Sequence, residues 1–541
     1  MSDPSTRPLS FNLIEQPWLL VRDRDGRVSE LSVVDMFRRS HELAGLVGDV
    51  PTQVFALTRM LLAVLHGALC PRSVADWEAL WDADQLPVSD IASYLDRHRS
   101  RFDLVHPTTP FMQVAGLRTE KGELSDPSKL IADVPNGHRF FTTRLGTGLS
   151  LSFAEAARWL VHCHAFDPSG IKSGAVGDPR VKNGKGYPIG VAWSGLLGGI
   201  LPEGRTLRET LLLNLIPRDF GDVAGDVVAD VPVWEREPLG PAEQPPEGLI
   251  PAGPVTLFTW QSRRVRLHVA HGRVTGVLIC NGDALMPQNM HTTETHTAWR
   301  RSEPQQKKLR LPVAYMPLEH NVERVIWRGL AAMLPDRARR QGSEAASRVS
   351  AMVSEWLGLL STEGVLARDY PLRMRTIGMT YGGQSSTTEE IVDDALSLQA
   401  ILVAQDAAAL KGAALDSVEA AENAARALGF LAADLARASG GDPDGPRTRA
   451  IESAYAALDP MFRDWLAALG PDTDPDDCQV VWHRQADGAV RTLGADLVAA
   501  ASPTAWVGRK HNERLYTSSH AVARFHSELR RVLPYAHQEA A

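Results

Sequence analysis

The hydrophobic pattern of this chain changes period near residue 386, and one core cannot serve both halves of it. Upstream the pattern mixes helix and strand. Residues 11–32 read as two strands joined by the turn DRDGR, and 255–285 return to strand-like alternation. Residues 52–69 form an apolar run that ends at Pro71 and predicts a buried helix, and 152–166 and 205–216 are further helical runs. Residues 235–254, EREPLGPAEQPPEGLIPAGP, read as an exposed linker or long loop. Downstream, Ile391, Leu398, Leu402 and Ala409 recur at helical spacing in an Ala-rich background. Breaks at 438–446 and 470–477, with a last helix over residues 511–533, divide this part into about four antiparallel helices. The expected fold class is therefore α+β: a large mixed α/β N-terminal domain over residues 1–385, then a C-terminal four-helix bundle over 386–541. A length of 541 residues agrees, since cores stop growing before that size.

Composition narrows the class. A chain that is 44% hydrophobic and 23% charged is globular, and no run of about 18 apolar residues predicts a membrane span. The start, MSDPSTRPLSFNLIEQ, lacks the basic and apolar segments of a secretory signal. Cys70, Cys163, Cys280 and Cys478 are scattered without a CxxC pair, which fits a reducing cytoplasm. The formal net charge of −8 argues against a protein that coats nucleic acid unaided, although a local basic track would suffice for a specific contact.

The segment Arg375–Glu390, RTIGMTYGGQSSTTEE, holds the most pointed candidate. A Tyr-Gly-Gly turn presents Gln384, and Ser386 with Glu389 reads as a capping box that starts a helix. A flat amide on such a tip suits a narrow polar space such as a nucleic-acid groove. The competing reading is an ordinary surface turn. Asp167–Gly190, DPSGIKSGAVGDPRVKNGKGYPIG, interleaves glycines with Lys172, Arg180, Lys182 and Lys185, so backbone N–H groups and cations could meet a phosphate there. It is not a nucleoside-triphosphate loop, because Gly186 follows Gly184-Lys185 where Ser or Thr should bind magnesium. Its bland reading is a flexible connector. Arg300–Arg310, RRSEPQQKKLR, sets Arg300, Arg301, Lys307 and Lys308 beside Trp299 and could track a phosphate backbone; a solvated loop is the alternative.

Two groups look like metal ligands. His162, Cys163 and His164 are helical neighbours that point in different directions, so they read as packed core. His291, Glu294 and His296 offer a hydrolase-like alternative, with Glu294 and His296 on one strand face. No GxSxG elbow, HExxH or carboxylate pair stands out, so no catalytic residue, metal or cofactor is expected.

Taken in order, FNLIEQPWLLVRDRDGRV, HPTTPFMQV (His106 to Val114), GIKSG (Gly170 to Gly174), LRETLLLNLI (Leu207 to Ile216), LFTWQ (Leu257 to Gln261) and GGQSS (Gly382 to Ser386) resemble the CasA family, the large subunit of the type I-E CRISPR Cascade complex. The resemblance spans nearly the whole chain. It implies a non-enzymatic protein with an α/β N-terminal domain and a four-helix bundle. The implied role is to check the protospacer-adjacent motif of target duplex from the minor groove while guide RNA reads the rest, then to help recruit a helicase-nuclease. Its implied partners are other Cascade subunits, guide RNA and double-stranded DNA. The family's wedge glutamine falls on Gln384, between Gly383 and Ser385; the family usually has Asn where this chain has Gly383. The motif-reading glycine loop falls on Ser169, Gly170 and Lys172, and the DNA-steering basic pair on Arg300 and Arg301. The guide-RNA loop falls on residues 134–148, with Phe140, Phe141 and Thr143 as its contacts. The groove-reading lysine has no counterpart between Val277 and Leu285, and Cys280 alone implies no zinc site. The remaining alternative is a helical scaffold whose basic patches are only solvated surface.

Overall fold

The computed structural model describes residues 9–132, 148–221, 228–335, 346–511 and 514–537. These fall into two compact units. The first comprises residues 1–322, 338–356 and 374–394; the second comprises 323–337, 357–373 and 395–541.

In the first unit, β1 (Leu19–Asp23) and β2 (Val28–Leu31) form the expected hairpin around Asp23, whose carboxylate accepts from the N–H groups of Asp25 and Arg27. β3 (Leu43–Leu46) pairs on the other side of β1. The Pro51–Leu69 helix begins with proline at its first turn, and its residues from Thr52 to His66 are buried. It is long and apolar enough to cross a bilayer by composition alone, yet 83% of that window is buried inside the protein, as in a central core helix. The Phe153–Phe166 helix, capped by Ser152, packs against it.

The glycine-rich stretch folds as a short hairpin of β4 (Lys172–Ser173) and β5 (Lys185–Gly186). β6 (Gly199–Glu203) follows, then the long hairpin of β7 (Arg263–Ala270) and β8 (Arg273–Asn281). β4 lies parallel to β8, giving a sheet of order β5-β4-β8-β7. The PFMQ motif serves this packing: buried Gln113 donates to Leu104 O at 2.8 Å and accepts from Leu267 N at 2.8 Å. Farther along, β9 (Trp299–Arg301) lies between β10 (Tyr315–Pro317) and β11 (Arg348–Val349). Trp299, Tyr315 and Val349 turn into a core cluster with Trp193, Leu197 and Leu257.

The last two strands correct one expectation. β12 (Pro371–Tyr381) and β13 (Thr388–Gln399) make a long hairpin beside β6, so residues 388–399 are strand, not the start of a helix. Leu396 and Leu398 are buried while Ser397 is exposed, a period of two. The four-residue step from Leu398 to Leu402 mimics a helical repeat, and the acidic edge strand hides its alternation because both faces are partly solvated.

The second unit is built on the Ala408–Ser439 helix, 32 residues long and capped by Gly440 in the left-handed region. Helices Asp444–Ala468, Pro475–Ala499 and Ser518–Val532 all pack on it. Ala414, Ala421, Ala424 and Ala425 lie buried on its inner face, where small side chains let the helices approach closely. Trp327, Phe462, Trp465 and Trp482 form an aromatic cluster at centroid distances of 4.7 to 5.5 Å, with Trp327 stacked on Phe462 and Trp482 edge-on to it. Residues 509–511 and 514–516 are short strands rather than the head of the last helix, which starts at Ser518.

Candidate nucleic-acid interface

The turn between β12 and β13 closes on itself. Gly382 N–H donates to Thr387 O at 2.9 Å, and Ser385 N–H donates to Gly382 O at 2.7 Å. Ser386 caps no helix; its N–H and hydroxyl both turn back to Gly383 O, at 3.3 and 2.9 Å. Gln384 (φ 57°) and Ser385 (φ 53°) are successive non-glycine residues in the left-handed region, at a cost of about 1–2 kcal/mol each. The Gln384 side chain is exposed at the tip. The two glycines differ in kind. A Cβ on Gly382 would meet the Glu389 carboxylate at 2.6 Å and Thr387 Oγ1 at 2.7 Å, whereas nothing lies within 4 Å of one on Gly383.

The tip does not stand alone. Ser169 N–H donates to Ser385 O at 2.8 Å, and a Cβ on Gly170 (φ 125°) would sit 3.8 Å from Ser386 Cβ. The Tyr381 hydroxyl, at the root of the hairpin, donates to Phe166 O at 2.7 Å. Beside it, buried Asp167 is held by Arg263 at 2.5 Å and Lys172 at 2.6 Å. Burial alone would raise the Asp167 carboxyl, but the two cations and their hydrogen bonds outweigh it and hold it below the usual range. The structure thus brings Ser169, Gly170, Gly383, Gln384 and Ser385 together. The charge of Lys172 is already engaged by Asp167, and Arg180 is bound by Asp178 and Glu243, so neither cation of the glycine-rich stretch is free as the sequence suggested. Lys182 and Lys185 are exposed. A cleft of about 140 Å3 opens beside the root, lined by Ser125, Ser128, Lys129, Asp167, Lys172 and Thr387.

Arg300 and Arg301 are both exposed at the end of β9. Lys307 and Lys308 are exposed in the last turn of the Glu303–Leu309 helix, where cations complement the helix dipole. Burial raises the Glu319 carboxyl, and Arg300 partly offsets that rise. Sequence reasoning missed Arg348, which β11 sets directly opposite Arg300; the only signal was a short polar run 48 positions downstream.

The metal-like groups dissolve on inspection. Glu294 is buried in a bidentate pair with Arg59 at 2.6 and 2.8 Å and accepts from Trp193 Nε1 at 2.7 Å, so its carboxylate is fully used. Burial drives His296 down to about 3. His162 bonds Thr52 and His164 bonds Met112 O, as packed core residues. Among the described residues no three His, Cys, Asp or Glu side chains converge as a metal site, and the four cysteines are unpaired thiols. Phe140, Phe141 and Thr143 lie outside the described residues.

Residues 12–493 match the family model for CRISPR-associated protein Cse1. A curated relative from Thermus thermophilus, CRISPR-associated protein CasA/Cse1, is 33% identical over 383 residues, covering 68% of this chain and 67% of the relative. The crystal structure of Thermobifida fusca Cse1 superposes with a TM-score of 0.91 at 48% identity, over 97% of this chain and 99% of that one. A chain of a CRISPR RNA-guided surveillance complex shares the fold at 20% identity, with a TM-score of 0.70 over 96% and 100% of the two chains.

Proposed function

This chain belongs to the CRISPR-associated protein Cse1 family, and on that premise we propose that it is the large, non-catalytic subunit of an RNA-guided surveillance complex that checks target DNA. Its partners are the other subunits, guide RNA, target duplex and, after recognition, a helicase-nuclease. The observation that carries the reading is the joining of the glycine loop to the strained tip through Ser169 N–H and Ser385 O. A tip fixed in the left-handed region presents Gln384 without further ordering, so little entropy is lost when it meets a groove. Ser169 and Gly170 would face the adjacent motif, Gln384 would enter beside it and unstack the first pair, and Arg300, Arg301, Lys307 and Lys308 would hold the phosphate backbone. Reading from the minor groove separates A·T from G·C but not their orientation, which predicts tolerance of several motifs.

The test is a guide-loaded complex reconstituted with wild-type subunit or Gln384→Ala. Strand opening is followed by 2-aminopurine fluorescence at the first target pair, on duplexes with matched or scrambled flanking motifs. The reading expects motif-dependent opening that Gln384→Ala abolishes. Equal opening on both duplexes with wild type, or full opening with the variant, would sink it.

A further inference from the structure

We infer that Arg348 and Arg300 together form a two-guanidinium clamp for a phosphodiester of the target duplex, an inference that rests on the DNA-checking role above. The register of the small sheet carries it. β11 runs antiparallel to β9 with Val349 opposite Trp299 and Arg348 opposite Arg300. The first pair turns into the core. The second is therefore on the solvent face, and both arginines are exposed. Directly opposed residues hold their Cβ atoms about 4.5–5.5 Å apart, and like charges so placed destabilise a sheet. On the other flank of Arg300 stands Met316, which offers no counter-charge.

Glu319 is the acid whose charge acts on Arg300, but it is exposed and forms no ion pair with that arginine among the described residues. No ion pair or hydrogen bond joins the Arg348 side chain to an acid among the described residues. Lys307 and Lys308 have a local reason to be where they are, at a helix C-terminus. The arginine pair has none: the fold sets two cations side by side and supplies no ligand. A phosphodiester does supply one, since each guanidinium presents a planar fork of donors to phosphate oxygens. A backbone contact of this kind carries no sequence information, and it complements a loop that faces the motif and a tip that enters beside it.

The experiment measures duplex binding by the guide-loaded complex across a salt series, with wild type, Arg348→Ala, Arg348→Lys, Arg300→Ala and the double alanine variant. Matched and scrambled motifs are both used. Arg348→Ala should weaken binding to both duplexes by the same factor and lower the salt slope by about one. Arg348→Lys should keep the slope, because the charge remains, while losing part of the affinity. The double variant should lose less than the product of the single losses, since one phosphate is shared. The isolated Arg348→Ala subunit should melt no lower than wild type, because a repulsion has been removed. An unchanged salt slope in Arg348→Ala overturns the inference. So does a variant that binds DNA normally once assembled but attaches poorly to the guide-loaded core, which would place the contact on RNA or a neighbouring subunit. Motif dependence tells failure of the clamp from failure of the reading beneath it: it is lost if the Gln384 reading fails and retained if only the clamp fails.

Discussion

Arg59 and Glu294 meet inside the first unit at 2% and 0% exposure, whereas Arg426 and Glu422 meet on the second unit's long helix at 50% and 15%. The contrast recurs. The first unit also buries Arg264 with Asp283 and Arg263 with Asp167, while pairs in the second, such as Arg463 with Asp459 and Arg437 with Asp434, keep at least one partner partly exposed. The reason lies in the backbone. A helix satisfies its own carbonyls, so the bundle interior is mainly Ala, Leu and aromatic contacts, with few buried polar groups such as Ser417 and Asp434. The first unit threads long irregular segments through its interior, and buried arginines collect their carbonyls. Arg263 donates to the oxygens of Ser262, Asp167, Pro168 and Gly190; Arg264 donates to those of Gly240, Gln261 and Ala242; Arg208 reaches those of Leu80, Trp81 and Ala83. Irregular backbone held this way also leads into the candidate interface: Asp167 and Pro168, both bonded by Arg263, immediately precede Ser169.

The broadest way to test this contrast is acid. Burial lowers His162 and His296 to about 3 and His164 to about 4, and holds His66 well below its ordinary value. A histidine that stays neutral when folded but titrates near 6.5 when unfolded gives its full stabilisation above that pH. The loss below it is about 1.4 kcal/mol per pH unit for each group until the folded value is reached. All four lie in the first unit, against His483 and His526 in the second. Hydrogen exchange from pH 7 to 4.5 should show residues 51–69 and 153–166 losing protection before the bundle helices. Simultaneous loss would break the comparison.

Substitution tests it one pair at a time. Glu294→Ala strands a buried guanidinium and should cost about 3–5 kcal/mol in urea denaturation. Arg426→Ala removes an exposed pair one turn apart and should cost about 0.5 kcal/mol or less. Similar losses from the two would mean that burial is not what distinguishes the units. At the tip, Ser385→Gly relieves a left-handed non-glycine residue and should leave the subunit equal or more stable by about 1 kcal/mol, with slower strand opening if rigidity matters. The smallest effect is expected from Gly383→Asn. The open space around Gly383 admits the larger residue, so the melting temperature should stay within a degree or two while motif discrimination sharpens.

Much of the helical framework was legible. The Pro51–Leu69 helix announced itself as an apolar run, and the breaks expected at 438–446 and 470–477 contain the Gly440 cap and the Pro475 start. What misled was the acidic stretch after Gln384. Glu389 looked like the far side of a capping box, but it lies beside Gly382 as part of β13 and starts no helix. Local chemistry there points rightly to a tight turn and wrongly to a helix entry, because what decides is the pairing of β13 with β12, which capping chemistry does not report. The same limit hid Arg348, which gains its meaning only from the register that places it against Arg300.

The bond from Tyr381 to Phe166 spans 215 residues of chain. Translation at about 5–20 residues per second places roughly 10–40 s between the emergence of the two partners from a ribosome. Throughout that interval the residues of the Phe153–Phe166 helix and the Ser169 loop are without the hairpin that they later receive, and Asp167 gains its Arg263 partner partway through it. The buried arginine ties at Asp167 and Pro168 need nothing beyond Arg263, so the receiving surface can be complete before the tip is synthesised.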